Sequence, residues 1–229
     1  MLLLQALREQ LLEVLARGQL PELWRDPQLS YADFQRAYLA TYIERDVRQI
    51  LNVGSLREFE RFIRLCATYN GQRLNRSEIA RGVGITSKTV DQWLSVLQAS
   101  NQVALLDPYF ANLGKRAVKS PKLYFCDTGL LCFLLGLDVT SLSRSRLLGA
   151  VWEAFIFAEL RKATAARAPE YQLWFYRDQQ GRDVDFLLQG GGGFTCIECK
   201  WAELPALTFA HARARCAERL TTTSRGCIA

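Results

Sequence analysis

Leu3, Leu4, Leu7, Leu11, Val14 and Leu15 recur at three- and four-residue steps, so residues 2–16 predict an amphipathic helix. Gly18 and Pro21 end it. Ser30 and Asp33 introduce a second helix with Phe34, Ala37, Tyr38, Tyr42 and Ile43 on one side. Glu44, Arg45 and Asp46 follow and read as local helical ion pairs. A third helix covers 56–69, with Phe59, Phe62, Ile63 and Cys66 inward. Asn75 caps a short helix, and Glu78 three residues on completes a capping-box pattern. Gly82 and Gly84 break that helix. Thr86 caps the next, whose buried stripe is Val90, Trp93, Leu94 and Leu97. Short apolar runs at 103–106 and 123–125 predict strands. Asp127 caps a helix that starts at Thr128, and residues 130–148 read as a helical linker with a Ser/Arg-rich loop at 141–146.

The last third changes period. Residues 149–160 carry Val151, Trp152, Phe155 and Ile156, the pattern of a mostly buried helix. Aromatic-rich 171–176, then 183–188, then 194–201 predict three strands, joined by a polar turn and by Gly190–Gly193. Residues 205–220 suit a helix covering the sheet. The fold class expected is mixed α and β, of α+β or α/β type. It comprises a helical segment (1–50), a winged helix-turn-helix (51–130) and an αβ domain (131–229) that is cut short at its C-terminus.

Charge is localised. The chain carries a net +6, and residues 56–125 hold 11 Lys/Arg against 5 Asp/Glu while the rest balances. Nucleic-acid contact is therefore sought in that segment. Ser87, Lys88, Asp91, Gln92 and Ser95 line the polar face of the helix after Thr86, and Ser87, Lys88 and Gln92 are the residues placed to enter a major groove. Lys115, Arg116, Lys119 and Lys122 lie between or beside the two short strands, where a wing grips phosphates. Asp91 on the same face would repel phosphate, and a winged helix also serves as a packing module. DNA is the partner expected.

Seven cysteines and a single histidine, His211, fit no zinc framework. Cys196 and Cys199 are three apart, which on a strand puts them on opposite faces. Reduced thiols in a cytoplasmic protein are the reading adopted. No stretch reaches the ~20 apolar residues of a membrane span, and the run Met1–Leu7 is too short for a signal peptide. Asp127-Thr128-Gly129 matches the D-T-G of aspartyl proteases, but such enzymes need a second aspartate loop that the chain lacks.

One constellation could carry chemistry. Glu153 sits at the edge of its helix's apolar face. Glu198 and Lys200, two apart, share a strand face, and Asp185 precedes Glu198 by thirteen positions, enough for one tight turn between neighbouring strands. Two or three carboxylates suit Mg²⁺, which takes oxygen ligands, keeps several waters and activates one of them. An adjacent lysine would orient that water or stabilise the transition state. A charged hairpin of the same composition also arises as a plain salt-bridge pair.

The stretches YIERDV, KSPKLYFCDTGL, GAVWEAFIFAEL, RDVDFLLQ and IECKW, in that order, resemble the C-terminal region of a prokaryotic AAA+-like ATPase family. In that family a winged helix and a PD-(D/E)xK nuclease-like domain follow the nucleotide-binding module. The resemblance implies Glu153, Asp185, Glu198 and Lys200 as catalytic residues, the three carboxylates as metal ligands and Mg as the cofactor, with Glu153 matching the helical glutamate of resolvase-like members. Asp183 stands where the family more often has Glu. The nucleotide-binding module itself is missing: no G-x-x-x-x-G-K-[ST] occurs, so no nucleotide-binding residue and no ATP site are expected. The N-terminal helix would be a remnant of that module's lid, and the ATPase part a partner in cis or in trans. Three functions compete: a DNA-binding accessory region of such an ATPase, an active Mg²⁺-dependent endonuclease, and a non-catalytic fragment for protein contacts.

Overall fold

The structure is a computed structural model that describes residues 2–42, 45, 47, 56–109, 120–167, 170–177 and 183–201. The chain is mixed α and β, of α+β type: mostly helical, with two small antiparallel sheets. Helices α1 (Leu2–Arg17), α2 (Pro21–Arg25) and α3 (Tyr31–Tyr42) come first. Then follow α4 (Leu56–Thr68), α5 (Arg76–Val83) and α6 (Ser87–Ala99), and the hairpin strands β1 (Val103–Leu106) and β2 (Lys122–Phe125). Helices α7 (Thr128–Leu135), α8 (Val139–Arg144) and α9 (Leu148–Arg167) lead to a meander of β3 (Gln172–Arg177), β4 (Asp183–Gly190) and β5 (Gly193–Ile197). No helix among the described residues is long and apolar enough to cross a membrane.

Local chemistry sets most of the boundaries. The Asn75 side chain accepts from the Glu78 N–H at 3.2 Å, and the Thr86 hydroxyl accepts from the Thr89 N–H at 3.1 Å, each satisfying a donor that the first helical turn leaves open. The Glu78 carboxylate completes the box from the Asn75 side-chain amide rather than from its backbone. Gly84, in the left-handed region at φ +86°, ends α5. Gly82 does not end it. It lies inside the helix, where a Cβ would come within 2.7 Å of Leu65, so its smallness lets α4 approach. The Ser/Arg-rich run expected as a loop is instead α8, because Asp138 and Ser141 form a reciprocal capping box.

A single large core joins the helices to one side of the second sheet. Phe59, Phe62 and Trp93 meet edge-on within it, and Tyr124, Phe157 and Phe186 form a second aromatic group beneath α9. α1 contributes Leu12, Leu15 and Ala16 to the core, while Leu7 stays exposed. In α3 the inward residues are Gln35, Leu39 and Tyr42. Ala37, expected inward, is exposed, because the buried face is turned toward Asp127, to which Gln35 donates at 3.4 Å. Of the residues around YIERDV, Val47 is buried and Arg45 exposed; Ile43, Glu44 and Asp46 lie outside the described residues.

The second sheet contains the feature that matters for the site. β4 and β5 pair in unbroken register, and Gly191 and Gly192 turn the hairpin with φ of +59° and +76°. β3 and β4 pair as Trp174↔Leu187 and Tyr176↔Val184, so Phe175 alone faces both Asp185 and Phe186. This is a β-bulge, which breaks the alternation of β4. Val184 and Leu187 fall in a small cluster on the far side of the sheet, whereas Phe186 joins the main core.

Candidate functional site: a carboxylate cluster closed by Lys122

Glu153 projects from the second turn of α9, one turn before Phe157 on the same face. Phe157 stacks on Tyr124 at 4.3 Å, which brings the Tyr124 hydroxyl to Glu153, where it donates to Oε1 at 2.5 Å. Asn70 fixes this register: its Oδ1 accepts from the Phe125 N–H at 2.9 Å, and its Nδ2 donates to the Ala150 carbonyl at 3.0 Å. β2 and α9 are thus held by one buried amide.

The bulge aims Asp185 into the same space. Its Oδ2 accepts from the Cys199 N–H at 2.8 Å, just past the end of β5. β5 closes at Ile197, so the strand expected to reach Trp201 stops before Glu198. The pairing of Phe186 with Ile197 nonetheless brings Glu198 beside Asp185. Burial, and then the neighbouring Asp185, push the Glu198 carboxyl up to about 7. Burial likewise raises Glu153, with Lys122 acting in the opposite direction, and raises the Tyr124 phenol, helped by Glu153.

Glu153, Asp185 and Glu198 are thus brought to one region of the molecule. Two cations meet them, the expected Lys200 at Glu198 and an unexpected one, Lys122, at Glu153 and Asp185. Lys122 Nζ lies 3.2 Å from Glu153 Oε1 and 3.9 Å from Asp185 Oδ1, over the Phe175 ring at 5.5 Å, with its side chain 9% exposed. Lys200 points outward, 46% exposed, and pairs with Glu198 at 3.6 Å. Lys122 therefore cannot serve as the phosphate grip expected of it, because its charge is buried and neutralised by two carboxylates. A signal was present in the sequence: Lys122 and Tyr124 are two apart in the apolar run KLYF, so both address one face. Nothing in the local pattern marks which carboxylates that face would meet.

Among the described residues, no three His, Cys, Asp or Glu side chains are placed to share one ion. The Glu153–Asp185 pair surrounds an ammonium, and both Asp185 oxygens already have partners. As arranged, the cluster does not fit an oxygen-coordinated Mg²⁺.

The helical face expected to read DNA is exposed. Ser87, Lys88, Asp91, Gln92 and Ser95 are all solvent-facing on α6, opposite buried Val90, Trp93, Leu94 and Leu97. Asp91 forms an ion pair with Arg76 of α5, which offsets its charge. Lys115, Arg116 and Lys119 lie outside the described residues.

The D-T-G run is a structural junction. The Asp127 carboxylate accepts from the Leu130 N–H at 2.7 Å as the cap of α7, and from the Gln19 N–H at 2.6 Å. Burial raises its pKa. Cys196 falls in the small cluster and Cys199 packs against the main core, although Cys199 lies just past the end of β5, where strand alternation no longer applies.

Residues 148–228 match a domain of unknown function, DUF4143. Uncharacterized proteins of Mycobacterium bovis and Mycobacterium tuberculosis are each 34% identical over 178 residues, covering 77% of this chain. The chain spans 40% of the length of these relatives. No solved structure matches the chain. Residues 8–141, the helical part and the β1–β2 hairpin, match a second domain of unknown function, so the chain belongs to the DUF8612 family.

Proposed function

We propose that this chain is a DNA-binding accessory region of a prokaryotic AAA+-like ATPase protein, with α4–α6 and the β1–β2 hairpin acting as a winged helix. The observation that carries the reading is the start of α6. Thr86 caps it, its apolar face is buried, and Ser87, Lys88 and Gln92 are left together on the open side. An exposed, polar helix N-terminus is what enters a major groove and what attracts phosphate. The positive surplus of residues 56–125 supports the same surface, and the Arg76 pair partly offsets the negative charge of Asp91 on it. Small side chains at the tip favour weak sequence preference. The relatives are longer than this chain, and the ATPase partner is proposed as a module in cis or in trans.

The C-terminal part is read as a nuclease-like domain that supports this role. Convergence of Glu153, Asp185 and Glu198 favours a second reading, a divalent-ion endonuclease, and Lys122 between two of them weighs against it.

A salt titration of duplex DNA binding tests the proposal. Lys88→Ala with Gln92→Ala should weaken binding, and neutralising Lys115, Arg116 and Lys119 together should lower the slope of log K against log salt by roughly 0.9 per lost contact. Binding that neither change weakens would refute it. Plasmid nicking that Asp185→Ala abolishes would shift the reading to the endonuclease.

A further inference from the structure

A lysine side chain rarely gives up its hydration without fixed counter-charges. Lys122 does so on a strand that supplies no counter-charge of its own: Leu123, Tyr124 and Phe125 complete β2. Both partners come from elsewhere, Glu153 from α9 and Asp185 from the bulge of β4. The backbone of Lys122 is held twice over, paired with Leu106 across the hairpin and bridged to Arg73 on its other side. Its ammonium is therefore delivered to the two carboxylates from a rigid base.

The remaining groups at the cluster are also engaged. Tyr124 donates to Glu153 Oε1, Cys199 N–H donates to Asp185 Oδ2, and Lys200 pairs with Glu198. Three carboxylates thus meet two ammonium groups, which leaves little uncompensated charge to draw an ion from solution. A divalent ion bridging Glu153 and Asp185 would have to occupy the space that Lys122 Nζ fills, and the two cations would repel one another there. The arrangement also crosses the boundary between the two regions of family similarity, since Lys122 lies in residues 8–141 and both carboxylates lie in residues 148–228.

We propose that Lys122 is the resident cation of the Glu153–Asp185 pair: it takes the place of a divalent metal ion, keeps that ion out, and ties the β1–β2 hairpin to the C-terminal domain. Replacing it with a neutral residue then turns the pair into a divalent-cation site. This holds whether or not the chain binds DNA.

The test uses the full chain and Mn²⁺ as the probe, with binding followed by electron paramagnetic resonance and folding by thermal unfolding. The parent should show no stoichiometric Mn²⁺ site, and its Tm should not move when Mn²⁺ replaces a chelator. Lys122→Met should gain one equivalent of bound Mn²⁺. Its Tm should fall in chelator and recover with Mn²⁺, and adding Asp185→Asn should remove the site. A parent that binds one equivalent and loses it on Asp185→Asn overturns the proposal. So does a folded Lys122→Met that takes up no ion. Should Lys122→Met fail to fold, Lys122→Gln, which retains a donor toward Glu153 without the charge, is judged by the same criteria, and the parent titration stands by itself.

Discussion

Replacing Asp127 should destabilise the fold by an amount that its two strong hydrogen bonds set. Oδ1 caps α7 through the Leu130 N–H at 2.7 Å, and Oδ2 holds the Gln19 N–H at 2.6 Å, tying the end of α1 to the start of α7. Asp127→Ala removes a helix cap, which costs about 1 kcal/mol. It also leaves the partly buried Gln19 donor without its acceptor, which costs about 1–3 kcal/mol more. The expected loss is about 2–4 kcal/mol, or a Tm lower by roughly 5–15 °C for a chain of this size. Asp127→Asn has a single oxygen acceptor, so it keeps one of the two bonds. It also no longer buries a charge, the same burial that raises the Asp127 pKa. Its loss should be about half that of the alanine variant. Urea unfolding followed by far-UV circular dichroism measures both. If Asp127→Ala stays within about 0.5 kcal/mol of the parent, the scale of ordinary surface substitutions, the carboxylate is not the junction described and the D-T-G run needs another explanation.

Two further outcomes are expected. The folded Glu198 carboxyl, at about 7, lies above its unfolded value of 4.5, so its protonated form stabilises the fold below that lower value, and the contribution is lost as the pH rises through about 7. Glu198→Gln should therefore raise Tm relative to the parent at pH above this window, with the gap closing on acidification; a gap that does not change with pH would contradict the assigned burial. Gly129→Ala and Gly149→Ala, both in helices, should differ in sign. A Cβ on Gly129 would lie 2.3 Å from the Arg17 carbonyl oxygen, a backbone atom, and should cost about 1–3 kcal/mol or more. Nothing lies within 4 Å of a Cβ on Gly149, so alanine there should stabilise by up to about 1 kcal/mol. Chemical denaturation of the two variants side by side decides it.

Caps, turns and apolar stripes were legible because each is a short-range bargain between a side chain and a backbone a few residues away. Asn75, Thr86 and Asp127 announce their helices, and the stripe Val90, Trp93, Leu94 and Leu97 is buried as its spacing requires. Local rules failed where a distant partner intervened. Gln35 is buried although polar, because Asp127 lies 92 residues away in sequence and next to it in space. Gly82 reads as a breaker but serves as a contact with α4.

The cluster divides along the same line. Sequence by itself determined that Glu153 belongs to a helix, that Asp185 belongs to a strand, and that a glycine turn folds the chain back to bring the segment of Glu198 alongside it, because periodicity and turn spacing are properties of the local backbone. Tertiary structure alone decided that a bulge would turn Asp185 toward α9, and that the cation meeting it would be Lys122 rather than Lys200. A bulge is a mismatch between two strands, and a buried ion pair is a solution to desolvation found across elements; neither exists until the elements have packed.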